Sequence, residues 1–222
     1  MKYRFRRMFF LASKQISKYN RCLKPLSKAK VVSIEAYSYY ASKYVVEDIR
    51  HFIKWGARRL PRRYTDEILR NLCEQIIEYK YVCKNPERIK EYFGDNIDIS
   101  SDDDVIVAYK KVLGERRMSG MRKVAKKAEN IGALKDEEST VGDTLSLYRI
   151  YEITSTKYHH SYYNQIIKDT VNRTIIDRIV DILDSRVEDD VDYMMLIYLM
   201  SAFMSSYIGV AKKAIRTQTC RV

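Results

Sequence analysis

The residues that could carry acid–base or metal chemistry are few, and their spacing does not suit it. His159 and His160 are adjacent, so a helix would turn their side chains about 100° apart and they cannot form an i,i+4 metal pair. Asp48 and His51 have the i,i+3 spacing used in di-iron bundles, but the sequence lacks a second copy of the motif. Gly-rich phosphate loops and GxSxG motifs are also missing from the sequence. We therefore predict no enzymatic activity, no cofactor and no metal site.

The cysteines give no sign of a disulfide framework or a metal cluster. Cys22, Cys73, Cys83 and Cys220 form no CxxC pair. The start of the chain is too basic for a secretory signal, and its apolar run is too short. We expect free thiols and an intracellular protein, in the cytoplasm, the nucleus or a virion-like assembly, and not a secreted one.

The positive charge of the chain is concentrated in its N-terminal part. The net charge is +12 over 222 residues. Residues 1–130 carry 30 Lys and Arg against 16 Asp and Glu, whereas residues 131–222 carry 11 against 13. This asymmetry favours a polyanionic partner, either nucleic acid or an anionic membrane surface. The alternative interpretation is a basic surface that only maintains solubility.

The first of three basic clusters occupies residues 1–33, which hold ten Lys and Arg and no acid. Helical spacing gives this segment an apolar stripe of Phe5, Phe9, Ala12, Ile16, Tyr19 and Leu23. The opposite face carries Arg4, Arg7, Lys14, Lys18 and Arg21. Such a basic amphipathic helix suits a nucleic-acid-binding arm, a membrane-surface helix or a mitochondrial presequence. It also suits an ordinary docked helix with a solvated basic face.

The second cluster, KWGARRLPRRY at residues 54–64, interleaves basic and aromatic residues. Arginine binds phosphate through two hydrogen bonds, and aromatic rings stack on unpaired bases. The Gly and Pro residues predict a loop, and the pattern suggests single-strand binding. The alternative is an exposed turn whose arginines pair with nearby acids.

The third cluster, residues 110–127, has eight Lys and Arg and one acid, Glu115. Gly114 and Gly120 predict a flexible basic hairpin between helices, with a solvated helix face as the alternative. Lys and Arg contacts to phosphate carry no sequence information, so binding would be nonspecific. The predicted nucleic-acid-binding residues of the three clusters are Arg4, Arg6, Arg7, Lys14, Lys18, Lys54, Trp55, Arg58, Arg59, Arg62, Arg63, Tyr64, Arg116, Arg117, Arg122, Lys123, Lys126 and Lys127.

The element that must position these clusters lies near the C-terminus. Residues 193–211 are nineteen residues without a charge, and they predict a helix that is apolar on all sides. Acids at 188–192 before it and bases at 212–216 after it suit the dipole of one helix over about 188–215. We expect a core helix wrapped by the others, with a C-terminal membrane anchor as the alternative. The lysines that would lie on the far side of the membrane argue against the anchor.

Capping residues and breakers divide the rest of the chain. Pro25 is predicted to end the first helix, and Ser33 to cap a second helix that stops at Gly56. Thr65 is predicted to cap a third helix. Asn85-Pro86 starts a short fourth helix that ends at Gly94, and Ser100 or Ser101 caps the next one.

Residues 130–143 form the best linker candidate, because the sign of the charge changes there. Asp143 then caps a helix, and a longer one runs from about 157 to 185. A short turn would fold this helix back against the apolar helix as an antiparallel hairpin.

The predicted fold is therefore all-α, a bundle of about seven to eight helices with a C-terminal hairpin and a central apolar helix. The alternative is α+β with one or two short strands. The predicted organisation is a basic arm (1–30), a basic lobe (31–130), a linker (131–143) and a hairpin lobe (144–222).

Three functions fit these features. The first is a structural protein of nucleoprotein or coat type that binds RNA or DNA without sequence preference. The second is a matrix-type protein on anionic membranes, with Phe5, Phe9 and Ile16 in the lipid interface. The third is an interaction adaptor that forms homo-oligomers through its Tyr- and Met-rich C-terminal helices.

Overall fold

The computed structural model describes residues 2–30, 32–57, 62–93, 120–132, 134, 147–148, 150–151 and 175–219. The described residues form six helices and no strand, which confirms the all-α prediction. The helices are α1 (Lys2–Ala29), α2 (Ile34–Ala57), α3 (Arg62–Lys84), α4 (Glu87–Phe93), α5 (Met121–Asn130) and α6 (Ile175–Thr219). The predicted caps at Ser100 or Ser101 and at Asp143 lie outside these residues, as does most of the predicted linker.

Helix α1 continues through Pro25, so the prediction that Pro25 ends it is wrong. A proline inside a helix removes one backbone hydrogen bond and disfavours the helix by about 3 kcal/mol. Packing on both sides of the proline offsets this cost, because Leu23 and Ser27 are buried and Leu26 packs against the core. The Ser27 hydroxyl also donates to the Lys24 carbonyl at 2.8 Å.

The predicted start of α2 is confirmed by its capping bond. The backbone N–H of Ala36 donates to Ser33 Oγ at 3.1 Å, which satisfies one of the unpaired donors of the first turn. Helix α2 ends at Ala57, one residue beyond the predicted stop at Gly56.

Helix α3 begins at Arg62, so Thr65 lies inside its first turn and is not its cap. Because the helix begins three residues earlier, Thr65 is a helical residue, and its side chain is buried in the bundle. The predicted short helix after Asn85-Pro86 is confirmed as α4.

Helix α6 is one continuous element, so the predicted hairpin turn before the apolar segment is wrong. Residues 186–192 contain no Gly or Pro that would break the helix. Glu188 and Asp192 therefore lie well inside α6 rather than in its first turn, where an acid would interact with the helix dipole. The predicted base at the other end is present, since Arg216 lies in the last turn.

The apolar segment of α6 lies at the centre of the bundle and packs against α1, α2 and α3. Leu196, Leu199 and Phe203 have no exposed surface. Leu147 and Ile150, from the chain between α5 and α6, join the same core. Among the described residues, Asp192–Thr217 is long and apolar enough to cross a bilayer, and half of its most apolar stretch is buried in the bundle.

Helices α1 and α6 run parallel to each other. The Phe5 and Tyr193 rings lie 5.6 Å apart, and further along both helices the Tyr19 and Tyr207 rings lie 6.2 Å apart. Helix α2 is antiparallel to both, because Phe52, near its C-terminal end, packs on Tyr193 at 5.8 Å.

A buried polar network joins these three helices. The Tyr207 hydroxyl donates to Asn20 Oδ1 at 2.9 Å, and Asn20 Nδ2 donates to Ser42 Oγ at 2.9 Å. The Ser42 hydroxyl donates to the Tyr39 carbonyl at 2.8 Å. Because each of these partly buried polar groups has a partner, their hydrogen bonds offset the desolvation cost and favour one rotation of α1 on the bundle.

Candidate nucleic-acid interface

Helix α1 buries an apolar stripe and leaves its basic residues exposed. Phe5, Phe9, Ile16 and Leu23 are buried, which confirms the predicted apolar stripe. All ten basic side chains of the helix and its C-terminal flank are exposed: Lys2, Arg4, Arg6, Arg7, Lys14, Lys18, Arg21, Lys24, Lys28 and Lys30. The helix is about 42 Å long, since each residue adds about 1.5 Å. Its exposed cations therefore extend from one end of the helix, at Lys2, to the other, at Lys28.

These charges are not neutralised within the described part of the chain. None of the ten forms an ion pair with a described residue, whereas Arg70 Nε on α3 lies 3.0 Å from Glu74 Oε1. No acid occurs in the sequence before Glu35, so the helix cannot neutralise its own face. An unpaired basic surface of this kind attracts polyanions over distances comparable to the Debye length, about 8 Å at physiological salt.

Helix α2 extends this surface across a polar groove. The groove between α1 and α2 has a volume of about 490 Å³. It is lined by Ser13, Ile16, Ser17, Asn20, Ser42, Lys43, Val46, Glu47, Arg50 and His51. The side chains of Lys43, Arg50 and Lys54 on α2 are exposed, with Glu47 as the acid among them. We call the basic surface of α1, the groove and these three α2 cations the α1–α2 face.

Ser13 supplies a hydroxyl that has no internal partner. Its Oγ is buried and makes no hydrogen bond, while Ser17 beside it is exposed. Asn20 and Ser42, in contrast, already bond to each other. The groove thus offers neutral hydrogen-bonding groups between two rows of cations.

Apolar side chains emerge from the same basic surface. Tyr3, Phe10 and Leu11 are 81%, 57% and 58% exposed, respectively. The Lys14 ammonium lies 4.6 Å from the centroid of the Phe10 ring, and the Lys43 ammonium lies 5.6 Å from that of Tyr39. Basic and aromatic groups are therefore interleaved on this face in space, and not only in the sequence.

The first predicted cluster lies on the α1–α2 face in full. The side chains of Arg4, Arg6, Arg7, Lys14 and Lys18 are all exposed. The membrane hypothesis placed Phe5, Phe9 and Ile16 in the lipid interface, but these side chains belong to the core of the bundle. Phe5 is 0% and Ile16 3% exposed, so they are not available to lipid in this fold.

The second predicted cluster is mostly helical rather than a loop. Lys54 is exposed on α2, and Trp55 lies in the same helix. Arg62 and Arg63 form the start of α3, and Tyr64 after them is half-buried. The side chains of Trp55, Arg62 and Arg63 lie outside the described residues, as do Arg58 and Arg59 entirely.

The fold brings the first cluster and the start of the second to one end of the bundle. Phe5 and Phe52 both pack against the Tyr193 ring. Arg4, Arg6 and Lys54, which are near them in the sequence, therefore lie at the same end of the bundle. Sequence reasoning treated these clusters separately, because the antiparallel pairing of α1 and α2 depends on tertiary contacts.

The third predicted cluster lies on a different helix pair. Lys123, Lys126 and Lys127 are exposed on α5, which packs against α3 through Val124, Ala125 and Ala128. The side chain of Arg122, and the whole of Arg116 and Arg117, lie outside the described residues. Helix α5 packs on α3, whereas α1 packs on α2 and α6, so the described part of the third cluster is separate from the α1–α2 face.

Sequence reasoning missed several cations of the α1–α2 face. Lys24 and Lys28 were not among the predicted binding residues, and α1 continues through Pro25 and leaves both exposed. Lys43 and Arg50 stand alone in the sequence, without a basic neighbour, and only the antiparallel packing of α2 places them beside the groove. The spacing of Lys43 and Arg50, seven residues apart, was the available signal that they share one face of a helix.

Burial keeps three described side chains, Cys73, Tyr79 and Cys83, in their neutral form at neutral pH. Burial raises the pKa of the Cys73 thiol, whose Sγ donates to the Leu147 carbonyl at 3.6 Å. Burial likewise raises the pKa of Cys83 to about 11 and that of the Tyr79 hydroxyl, which bonds Ser38 Oγ at 2.8 Å. Among the described residues no three His, Cys, Asp or Glu side chains are grouped so that they could hold a metal ion.

Comparison with known proteins adds no assignment. No family model, no curated protein and no solved structure matches this chain significantly. The geometry and charge of the α1–α2 face are therefore the features that bear on function.

Proposed function

We propose that this protein binds nucleic acid without sequence preference, through the α1–α2 face. The observation that carries the proposal is the set of nine exposed, unpaired cations on α1 and a tenth, Lys30, directly after it, with no acid on that helix. A protein that only needs solubility gains nothing from placing its charge of one sign on a single helix, since mixed charges serve as well.

Phosphate contacts explain why the row is long and uniform. A nucleic-acid strand carries one charge per phosphate along its whole length, and each Lys or Arg that neutralises a phosphate releases a bound counterion. Exposed lysines and arginines at intervals along a 28-residue helix match such a ligand. Because phosphates are the same at every position, these contacts give affinity without sequence specificity.

The rigid mounting of α1 supports the same function. The sequence suggested a basic arm, but α1 is packed on α2 and α6 along its length and held by the Tyr207–Asn20–Ser42 network. A docked helix does not need to be ordered when it binds, so less of the phosphate attraction is spent on conformational entropy.

Fluorescence anisotropy with a labelled oligonucleotide of arbitrary sequence tests the proposal. We expect binding that weakens steeply with salt. For about six phosphates neutralised, the logarithm of the affinity should fall with the logarithm of salt concentration with a slope of about −4 to −5. Tight binding that is indifferent to salt, or no binding at low salt, would reject the proposal.

A matched pair of variants locates the interface. Replacement of Arg7, Lys14 and Lys18 by Gln removes three charges from α1, and replacement of Lys123, Lys126 and Lys127 by Gln removes three from α5. We expect the α1 variant to reduce the salt slope by about 2 to 3, since each lost phosphate contact lowers it by about one. The α5 variant should change it much less. Equal losses would place binding elsewhere than on the α1–α2 face.

A further inference from the structure

We infer that the α1–α2 face selects unpaired strands over duplex, because it presents aromatic rings as stacking platforms among its cations. This inference rests on the proposed nucleic-acid binding and specifies the form of the ligand. The rings are those of Tyr3 and Phe10, which are 81% and 57% exposed although both are large side chains. They add to Trp55 and Tyr64, which stay predicted stacking residues.

The two rings share one side of α1. Tyr3 and Phe10 are seven residues apart, which is two helical turns and about 10.5 Å along the axis. Arg7 lies between them on the same side, and Lys14 follows one turn after Phe10. A strand lying along α1 would therefore meet a ring, a cation, a second ring and a second cation in turn.

The contact between Lys14 and Phe10 joins the two kinds of recognition. The ammonium lies 4.6 Å from the ring centroid, so it restricts the motion of the ring while its charge remains exposed to solvent. A base that stacks on the free side of the ring would bring its own phosphate close to the same ammonium. Stacking is tolerant of sequence because every base has a π-face, and this agrees with nonspecific binding.

The groove supplies the neutral contacts that a strand also needs. The Ser13 hydroxyl is buried, but Ser17, one turn further along the same wall, is exposed and carries a hydroxyl that a strand can reach. Hydroxyl groups of this kind bond to sugar and phosphate oxygens. Lys43 and Arg50 on the opposite wall would hold the backbone of the strand over them.

Duplex uses this face less well. Its bases are stacked inside the double helix, so Tyr3 and Phe10 would meet only sugars and phosphates. Each ring would then lose hydration next to charged groups and gain no stacking partner. The cations bind either form, whereas the rings stabilise only the unpaired one.

The experiment compares one oligonucleotide of about 20 residues, single-stranded and as a duplex, at the same salt concentration. We expect the wild-type protein to prefer the single strand by about tenfold or more, because stacking alone accounts for that factor per base. Tyr3→Ser and Phe10→Ser together should abolish the preference and leave duplex affinity within about twofold. Both side chains are exposed, so thermal unfolding should be unchanged.

Tyr44→Ser is the matched control. Tyr44 is 61% exposed on α2 and is not among the residues that line the groove. It should leave the affinities for both strands unchanged. Equal loss from Tyr44→Ser and from the α1 pair would reject the stacking sites.

The remaining outcomes separate the inference from the function on which it rests. Equal binding of single strand and duplex, with no effect of the Tyr3 and Phe10 changes, would overturn the inference and leave the proposed function standing. Absence of binding to either form would overturn the proposed function. Binding to anionic vesicles but not to single strands, lost in Phe10→Ser, would overturn both and assign the exposed rings to a lipid surface.

Discussion

Helices α1 and α6 lie side by side and run in the same direction, but their surfaces differ in kind. Helix α1 has one apolar stripe and a row of cations on the rest of its circumference. Helix α6 is uncharged from Tyr193 to Ala211 on every side, including exposed positions such as Met194 and Ser201. Burial accounts for the core-facing residues of α6 and for the apolar stripe of α1, whereas it does not account for the cations on the outer side of α1.

This difference separates stability from function. Removing atoms from the buried side of α6 should weaken the fold and leave the binding of the remaining folded molecules intact. Changing the outer side of α1 should have the opposite effect. Substitutions in α6 and at the α1–α6 contact can therefore be used to measure effects on stability apart from effects on binding.

Phe203→Ala should lower the free energy of unfolding by about 3–5 kcal/mol, as truncation of a fully buried Phe does. The Phe203 ring lies 4.9 Å from that of Tyr79 on α3 and 5.5 Å from that of Tyr207, so its loss leaves a cavity between α3 and α6. Urea unfolding followed by circular dichroism measures the change. Met194→Ala, at an exposed position of the same helix, is the control and should change stability by less than about 0.5 kcal/mol. A small effect of Phe203→Ala would show that α6 is not the centre of the core.

Tyr207→Phe should lower the free energy of unfolding by about 1–2 kcal/mol, because it removes the hydroxyl that joins α6 to α1. Asn20 Oδ1 loses its donor at 2.9 Å, and the Ser42 hydroxyl, 3.2 Å away, can replace that donor only by giving up its 2.8 Å bond to the Tyr39 carbonyl. Equilibrium unfolding gives the stability, and anisotropy at a temperature where the variant is folded gives the affinity. If nucleic-acid binding fell while stability did not, the outer face of α1 would depend on this bond directly.

Asp48→Asn should raise the free energy of unfolding slightly at neutral pH, by a fraction of a kcal/mol. Burial on the α3 side of α2 raises the pKa of Asp48 above 3.8, although the bond from Gln75 Nε2 at 2.9 Å and nearby His51 oppose this shift. A carboxyl whose pKa is higher in the folded state disfavours folding once it ionises. This cost is absent below pH 3.8, appears as pH rises through the folded-state pKa and persists at pH 7. Unfolding at pH 3.5 and 7 measures it.

The sign of the pH effect is the informative part of that experiment. An advantage of Asp48→Asn that grows from pH 3.5 to 7 agrees with the raised pKa, and one that shrinks contradicts it. Binding should be unaffected, because Asp48 bonds to α3 and does not line the groove.

Local signals in the sequence were sufficient where the local interaction decides the structure. Ser33 caps α2 because its hydroxyl accepts a bond from the backbone N–H three residues later. Pro86 suits the start of α4 because a proline has no N–H group that would need a partner there. The stripe from Phe5 to Leu23 was predictable because helical spacing shows which residues share a face. The basic side of α1 followed from the same spacing.

Tertiary packing decided the features that local signals missed. Pro25 and Thr65 carry local preferences that oppose the observed helices, but the core contacts around them outweigh about 1–3 kcal/mol of propensity. The charge pattern at 188–192 resembled a helix start, although α6 passes through it. Spacing also shows which face is buried but not what covers it, so the α1–α2 groove could not be foreseen.

The parallel pairing of α1 with α6 has a consequence for how the chain is made. Tyr207 lies 191 positions after Ile16, whose carbonyl it contacts at 3.3 Å, so the two helices leave the ribosome far apart in time. At about 5–20 residues per second, roughly 10–40 s separate their synthesis. During that interval α6 does not yet cover the apolar stripe of α1, so the nascent α1 segment is prone to aggregation and also strongly cationic. The protein must therefore fold late and through long-range contacts, and its first helix is the segment for which early protection by a chaperone, or by the polyanion itself, matters most.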